Sequence, residues 1–200
     1  IQTWSSVAYD WAPDEGWLTY SAADDNFNYD VHITEVANPD NTFNVSKHPD
    51  NEFNPVWSPD GKTIAFVGRR FDHEYDIYYV SLKRETNERT SRDEKLEQAL
   101  KSEADSAGGI ASTQNVEPNT RLTKNDPSPK QIAIEDLSSI SQRIRKVSIP
   151  SATETQLVWS PDSKVLAFQA EIDGKQGLYT ITPYFSATPK FVASAKADIV

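Results

Sequence analysis

Cysteine and methionine are both absent from these 200 residues. Without cysteine there is no disulfide framework, no thiolate metal site and no cysteine nucleophile, and the compartment stays open. Histidine is scarce, at three residues, and no apolar run is long enough for a transmembrane helix. Basic residues are outnumbered, 20 Lys and Arg against 30 Asp and Glu, for a formal net charge of −10. Binding to nucleic acid needs a surplus of cations on one face, so the composition argues against that partner. With Ile1 first and no methionine, the chain reads as a processed chain or an excised segment, in which a missing signal peptide carries no weight. The length suits one ordinary domain with a real core.

What the sequence does have is a repeat. One unit occurs as Trp57-Ser58-Pro59-Asp60-Gly61-Lys62-Thr63-Ile64-Ala65-Phe66, again from Trp159 to Phe168 around Pro161 and Asp162, and in degraded form from Trp11 to Tyr20 around Pro13 and Asp14. Each has an aliphatic residue seven positions after the Trp and an aromatic one after nine. The register runs on, because Asp30 and Asp76 both stand nineteen residues after their Trp, with Gly177 in that place, one residue early, in the third unit. The pattern is that of a β-meander. Ser-Pro-Asp-Gly suits a type I turn in which Pro presets φ, Asp accepts backbone N–H groups and Gly takes the left-handed conformation. The alternation of Thr63 to Val67 and the run Asp76 to Leu82 read as strands. A strand before each Trp and an outer one such as Thr42 to Ser46 complete four per unit.

The 46 residues from Trp11 to Trp57 match the ~40 to 45 of a four-stranded propeller blade. The units resemble the blades of the TolB-type propeller family, which carry this turn followed by Ile-Ala-Phe and a later Asp-Ile-Tyr. The departures are Ser163 for the turn Gly, an extra Glu15, and Gly177 for the Asp. Fold class is therefore expected to be all-β: about three four-stranded blades of a larger propeller with a helical and disordered insertion.

The spacing from Trp57 to Trp159 is 102 residues, which places an insertion mostly between Lys83 and Lys130. Ser91 and Glu94 form a capping box for a charged helix over Ser91 to Glu103, and Ala111 to Pro129 reads as a mobile linker. The chain divides accordingly into residues 1–83, two blades; 84–130, the insertion; and 131–200, an outer strand from Ser141 to Pro150, the third blade with Pro189 to Ala193 outermost, and the start of another from Ala195.

The stretches Asp76-Ile77-Tyr78-Tyr79-Val80, Thr90 to Glu97, Arg143-Ile144-Arg145 and Ile172 to Tyr179 together resemble the propellers of Tricorn-protease-like serine peptidases. That resemblance implies a non-catalytic segment of a channel admitting or releasing oligopeptides. It also implies the remaining blades and peptidase domains of a parent chain as partners, and it favours the cytoplasm over the periplasm. The alternatives are a TolB-type propeller that binds a protein and, more weakly, the propeller of a prolyl-oligopeptidase-like enzyme.

No catalytic residue and no cofactor are expected from the sequence. It lacks a Gly-x-Ser-x-Gly elbow and a His-Glu-x-x-His pair, and His32, His48 and His73 read as solvated turn residues. Asp24, Asn26, Asn28, Asp30 and Glu35 follow EF-hand calcium spacing, but Tyr29 replaces the required Gly, so a turn is the plainer reading. Arg69 and Arg70 are candidates for a peptide carboxylate, against structural pairing with Asp72, Glu74 or Asp76. Asp14, Asp60 and Asp162 read as turn caps, and Trp11, Trp57 and Trp159 as core between blades. Isolated, such a segment is expected to leave an open edge and so to self-associate.

Overall fold

The computed structural model describes residues 8–70, 74–84, 132, 134–147, 149, 152–183 and 186–194. Expectations on Asp72, His73, the helix Ser91 to Glu103, the linker and the segment after Ala195 lie outside them. The described strands are β1 (Tyr9–Trp11), β2 (Trp17–Ala23), β3 (Tyr29–Glu35), β4 (Asn38–Asn44), β5 (Glu52–Trp57), β6 (Thr63–Gly68), β7 (Asp76–Ser81), β8 (Ile144–Lys146), β9 (Thr155–Trp159), β10 (Leu166–Ile172), β11 (Lys175–Thr182) and β12 (Ser186–Ser194). They form three four-stranded antiparallel sheets, each in sequence order, which are blades 1, 2 and 3.

The turn after each Trp has one geometry in all three blades. In blade 2 the Ser58 N–H donates to Thr63 O and the Gly61 N–H to Ser58 O, with Gly61 at φ +69°. Glu15 at φ 59° and Ser163 at φ 60° hold the same place, closed by the same pairs of bonds through Ala12 and Ser160. Glu15 is thus no insertion; it fills the left-handed position, and Gly16 aligns with Lys62. A side chain there costs about 1 to 2 kcal/mol, which only glycine avoids.

A second irregularity also repeats. Asn54 (φ 54°) and Gln156 (φ 53°) lie three residues before Trp57 and Trp159, where the pairing of β5 with β6 and of β9 with β10 shifts register. The bulge leaves one residue unpaired and turns the residues before it.

Alternation fixes the packing. Trp57, Ile64, Phe66 and Tyr78 of blade 2 face Val31, Ile33 and Val45 of blade 1 in one core. Ala65, Val67 and Ile77, on the other side of blade 2, meet Trp159, Leu166, Phe168 and Tyr179 of blade 3 in a second. Each fully buried large side chain contributes roughly 1.5 to 3 kcal/mol. An aromatic stack crosses each blade at the same register: Tyr20 on His32, Phe66 on Tyr78 and Phe168 on Tyr179, with centroids 5.5, 5.8 and 6.0 Å apart.

Several elements differ from expectation. The outer strand of blade 1 begins earlier, at Asn38, and ends at Asn44, and β7 stops at Ser81. A 3-10 helix takes Leu137–Arg143, so only Ile144–Lys146 joins blade 2 as its outer strand. Trp11 is 50% exposed against 4% for Trp57 and 7% for Trp159. Trp57 and Trp159 pack on the preceding blade, and blade 1 has none among the described residues.

Candidate functional site

Both blade seams bury a glutamate. Glu52 and Glu154 each stand five residues before their Trp, ahead of the bulge, and neither has any solvent-exposed surface. Burying a carboxylate is costly unless it is paired, so their surroundings decide their charge.

Glu52, between blades 1 and 2, is served on one oxygen, Oε1, while Oε2 is enclosed without a hydrogen-bond partner. Arg70 Nε donates to Glu52 Oε1 at 3.1 Å and its Nη2 to Ser46 O at 2.8 Å, while the guanidinium carbon lies 5.2 Å from the Tyr78 ring centroid and 5.7 Å from that of Phe66. Burial pushes the Glu52 carboxyl up to about 7, against the pull of Arg70. Glycine at 68 makes the space, because a Cβ there would lie 2.8 Å from Glu52 Cγ. Asp30, across the seam, accepts hydrogen bonds from Ser46 Oγ (2.6 Å), Asn44 Nδ2 (2.7 Å) and the His48 N–H (3.3 Å).

His48 is half-buried, and its Nδ1 accepts the Asp50 N–H at 3.2 Å while lying 3.4 Å from Glu52 Oε1. Accepting that bond requires Nδ1 to carry no proton. Desolvation, then the charge of Arg70, push the imidazole below its ordinary range, so the ring is neutral. Arg69 grips Asp50 through Nε and Nη2, with Nη2 2.9 Å from Oδ1, and that bond holds the Asp50 carboxyl below its usual range. Among the described residues the arginines pair with Asp50 and Glu52; the expected partner Asp72 lies outside them.

Glu154, between blades 2 and 3, lacks such service. Its N–H donates to Tyr75 O at 3.0 Å, but both carboxyl oxygens are enclosed without a hydrogen-bond partner. The nearby cation, Lys146, places Nζ 2.7 Å from Asp76 Oδ2. Burial, reinforced by the charge of Asp76, pushes Glu154 up to about 8.

At the opposite end of the blades the turns are tied together. Asp60 Oδ1 accepts the Lys62 N–H (3.1 Å) and Ser58 Oγ–H (2.7 Å); Asp162 repeats this with Lys164 and Ser160, and Asp14 with Gly16. The Asp60 N–H donates to Ser163 Oγ at 2.9 Å, joining blade 2 to blade 3. Ile132 joins blade 1 to blade 2, donating its N–H to Asp14 Oδ2 and lying where a Cβ on Gly61 would stand. Arg143, also buried, donates to the carbonyls of Ser81 and Glu135 at 2.8 and 2.7 Å.

Asp24, the first calcium candidate, accepts the N–H groups of Asn26 and Asn28 in the β2–β3 turn, whereas Asp30 is turned to Ser46 and Glu35 accepts from Asn41 Nδ2. The carboxylates are thus engaged separately. Among the described residues no three His, Cys, Asp or Glu side chains are grouped to hold a metal ion. His32 is not in a turn; it lies mid-strand in β3, stacked on Tyr20. Glu52 and Glu154 were missed in the sequence, although comparing the units backward from Trp exposes the shared position.

No family model matches the sequence, and no curated protein matches it. Solved structures do match in fold. Among them are a putative TolB from Agrobacterium tumefaciens (TM-score 0.52, 11% identity), a puromycin-hydrolyzing peptidase from Mycobacterium tuberculosis (0.53, 10%) and TolB from Acinetobacter baumannii (0.50, 13%). The fold is that of a β-propeller segment. The matches take in 96, 94 and 94% of this chain but only 52, 23 and 32% of those proteins. No helix among the described residues is long and apolar enough to cross a membrane.

Proposed function

We propose that this chain is a non-catalytic propeller segment of a Tricorn-like serine peptidase, one wall of a channel that governs the entry or exit of oligopeptides. The observation that carries the reading is the arrangement of first strands: β5 touches both β1 and β9, so the blades line up inner edge to inner edge, as they do around a propeller's central opening. The motifs shared with Tricorn-like propellers supply the class of enzyme. The half-exposed Trp11 face is where a preceding blade would pack.

The contribution of such a segment is selection. A narrow opening passes short unfolded peptides and excludes folded proteins before any bond is broken, so it changes which substrates reach the catalytic groups. Of the two arginines that this reading proposes for contact with a peptide carboxylate, Arg69 keeps a third of its side chain in solvent and Arg70 12%.

The test is made in the parent enzyme with and without residues 1–200. Cleavage of di- and tripeptide reporters should stay within roughly an order of magnitude, while the upper length limit relaxes. An unchanged length limit, or peptidase activity in the 200-residue chain itself, overturns the assignment. Pull-down of one folded protein by the isolated chain, with no effect on peptide length, would favour the protein-binding propeller instead.

A further inference from the structure

We propose that the seam between blades 2 and 3 is a proton-binding site: Glu154 closes into it as the neutral acid and must give up its proton for the ionised form, which the open seam favours. The geometry carries this. Glu154 has no exposed surface, and neither carboxyl oxygen meets a donor. Among the described residues the charges acting most strongly on it are those of Asp76 on β7, Lys146 on β8 and Glu74 just before β7. Two of the three are acids. The single cation is drawn to Asp76, at 2.7 Å, so an ionised Glu154 would face two carboxylates in a water-poor gap with no hydrogen bond of its own. A carboxyl in that position keeps its proton.

Seam 1–2 shows that the arrangement is particular to Glu154. The glutamate at the same repeat position there has Arg70 Nε at 3.1 Å, and the nearby Asp30 is satisfied by Ser46 and Asn44. Blade 3 is thus joined through an acid with no hydrogen bond to either carboxyl oxygen, whereas blade 2 is joined through an ion pair.

The direction with pH follows from linkage. An unfolded glutamate loses its proton near 4.5, and Glu154 in the closed seam near 8. Between those values the closed state holds a proton that the open state lacks, so closure is strongest below 4.5 and weakens as pH rises, levelling off above about 8. The opening equilibrium of blade 3 should rise by up to about tenfold per pH unit across that window.

The experiment is amide hydrogen exchange on the 200-residue chain from pH 5 to 9, corrected for the intrinsic exchange rate, comparing β9 and β10 with β2 and β3. The expected result is a rising opening constant in blade 3 that Glu154→Gln flattens, since the amide has the same shape and no proton to lose. A blade 3 slope between pH 7 and 8, above the Glu52 window, that persists in Glu154→Gln overturns the proposal. If that variant does not fold, the wild-type chain decides: carbon-13 titration of the Glu154 carboxyl near 8 supports the site, and titration near 4.5 overturns it.

Discussion

The two seams place the same residue type at the same repeat position and solve its burial differently. At seam 1–2, Gly68 opens a gap into which Glu52 and Arg70 fit together, and His48 and Asp30 complete a hydrogen-bonded network. At seam 2–3, Ala170 stands where Gly68 does, no arginine follows β10, and Glu154 is left with two acids and a lysine drawn to one of them. A repeat therefore dictates where a charge is buried without dictating how it is neutralised. One seam uses a cation, and the other uses a proton. Their responses to pH differ as a result. Glu52 and Glu154 both favour the fold at low pH, through windows from 4.5 to about 7 and 4.5 to about 8. His48 acts in the opposite sense at seam 1–2, because the unfolded chain binds a proton below 6.5 that the folded ring resists, and stability is lost as pH falls through that range.

The largest effect expected from breaking this comparison is Arg70→Met. It strips the cation from Glu52 and makes seam 1–2 resemble seam 2–3, at a cost of about 3 to 5 kcal/mol at pH 8. The cost should shrink at pH 5, where Glu52 takes up a proton; urea denaturation at the two pH values measures both. A loss that is equal at both would mean that Arg70 serves packing alone. Next comes Gly68→Ala, which thrusts a methyl group against Glu52 Cγ and should cost about 1 to 3 kcal/mol by overpacking. Thermal melts should show Ala170→Gly costing less, about 0.5 to 1 kcal/mol, because no glutamate depends on that space. The smallest effects test the tie between turns. Ser163→Ala keeps the left-handed strain and loses the bond to Asp60, for about 0.5 to 1.5 kcal/mol. Ser163→Gly loses the bond but relieves the strain, and should melt within a degree or two of the parent chain.

Much of the fold was legible in the chain. The Trp-to-aromatic spacing locates β2, β6 and β10, and the Asp or Gly downstream marks β3, β7 and β11. These elements are local, set by a turn motif and by alternation. The outer strands were less legible. Asn38–Asn44 is polar and Ile144–Lys146 is three residues long, so neither carries a strong period. The sites were harder again: Arg69 and Arg70 were visible as chemistry, yet their partners Asp50 and Glu52 precede them by 19 and 18 residues and are delivered by pairing β5 with β6.

The sequence by itself determined the blade: its turns, its register, its two apolar faces and the repeated glutamate before the Trp. Only the tertiary structure decided which charges those glutamates meet. A strand's own residues set which way a side chain points, but the field at a seam is the sum over groups from two blades and from a strand that returns after a long insertion. Lys146 is 70 residues from Asp76 in the chain and 2.7 Å away in space. Burial likewise belongs to the assembly, since Trp11 and Trp57 occupy the same position in their units and differ because, among the described residues, only Trp57 has a blade in front of it.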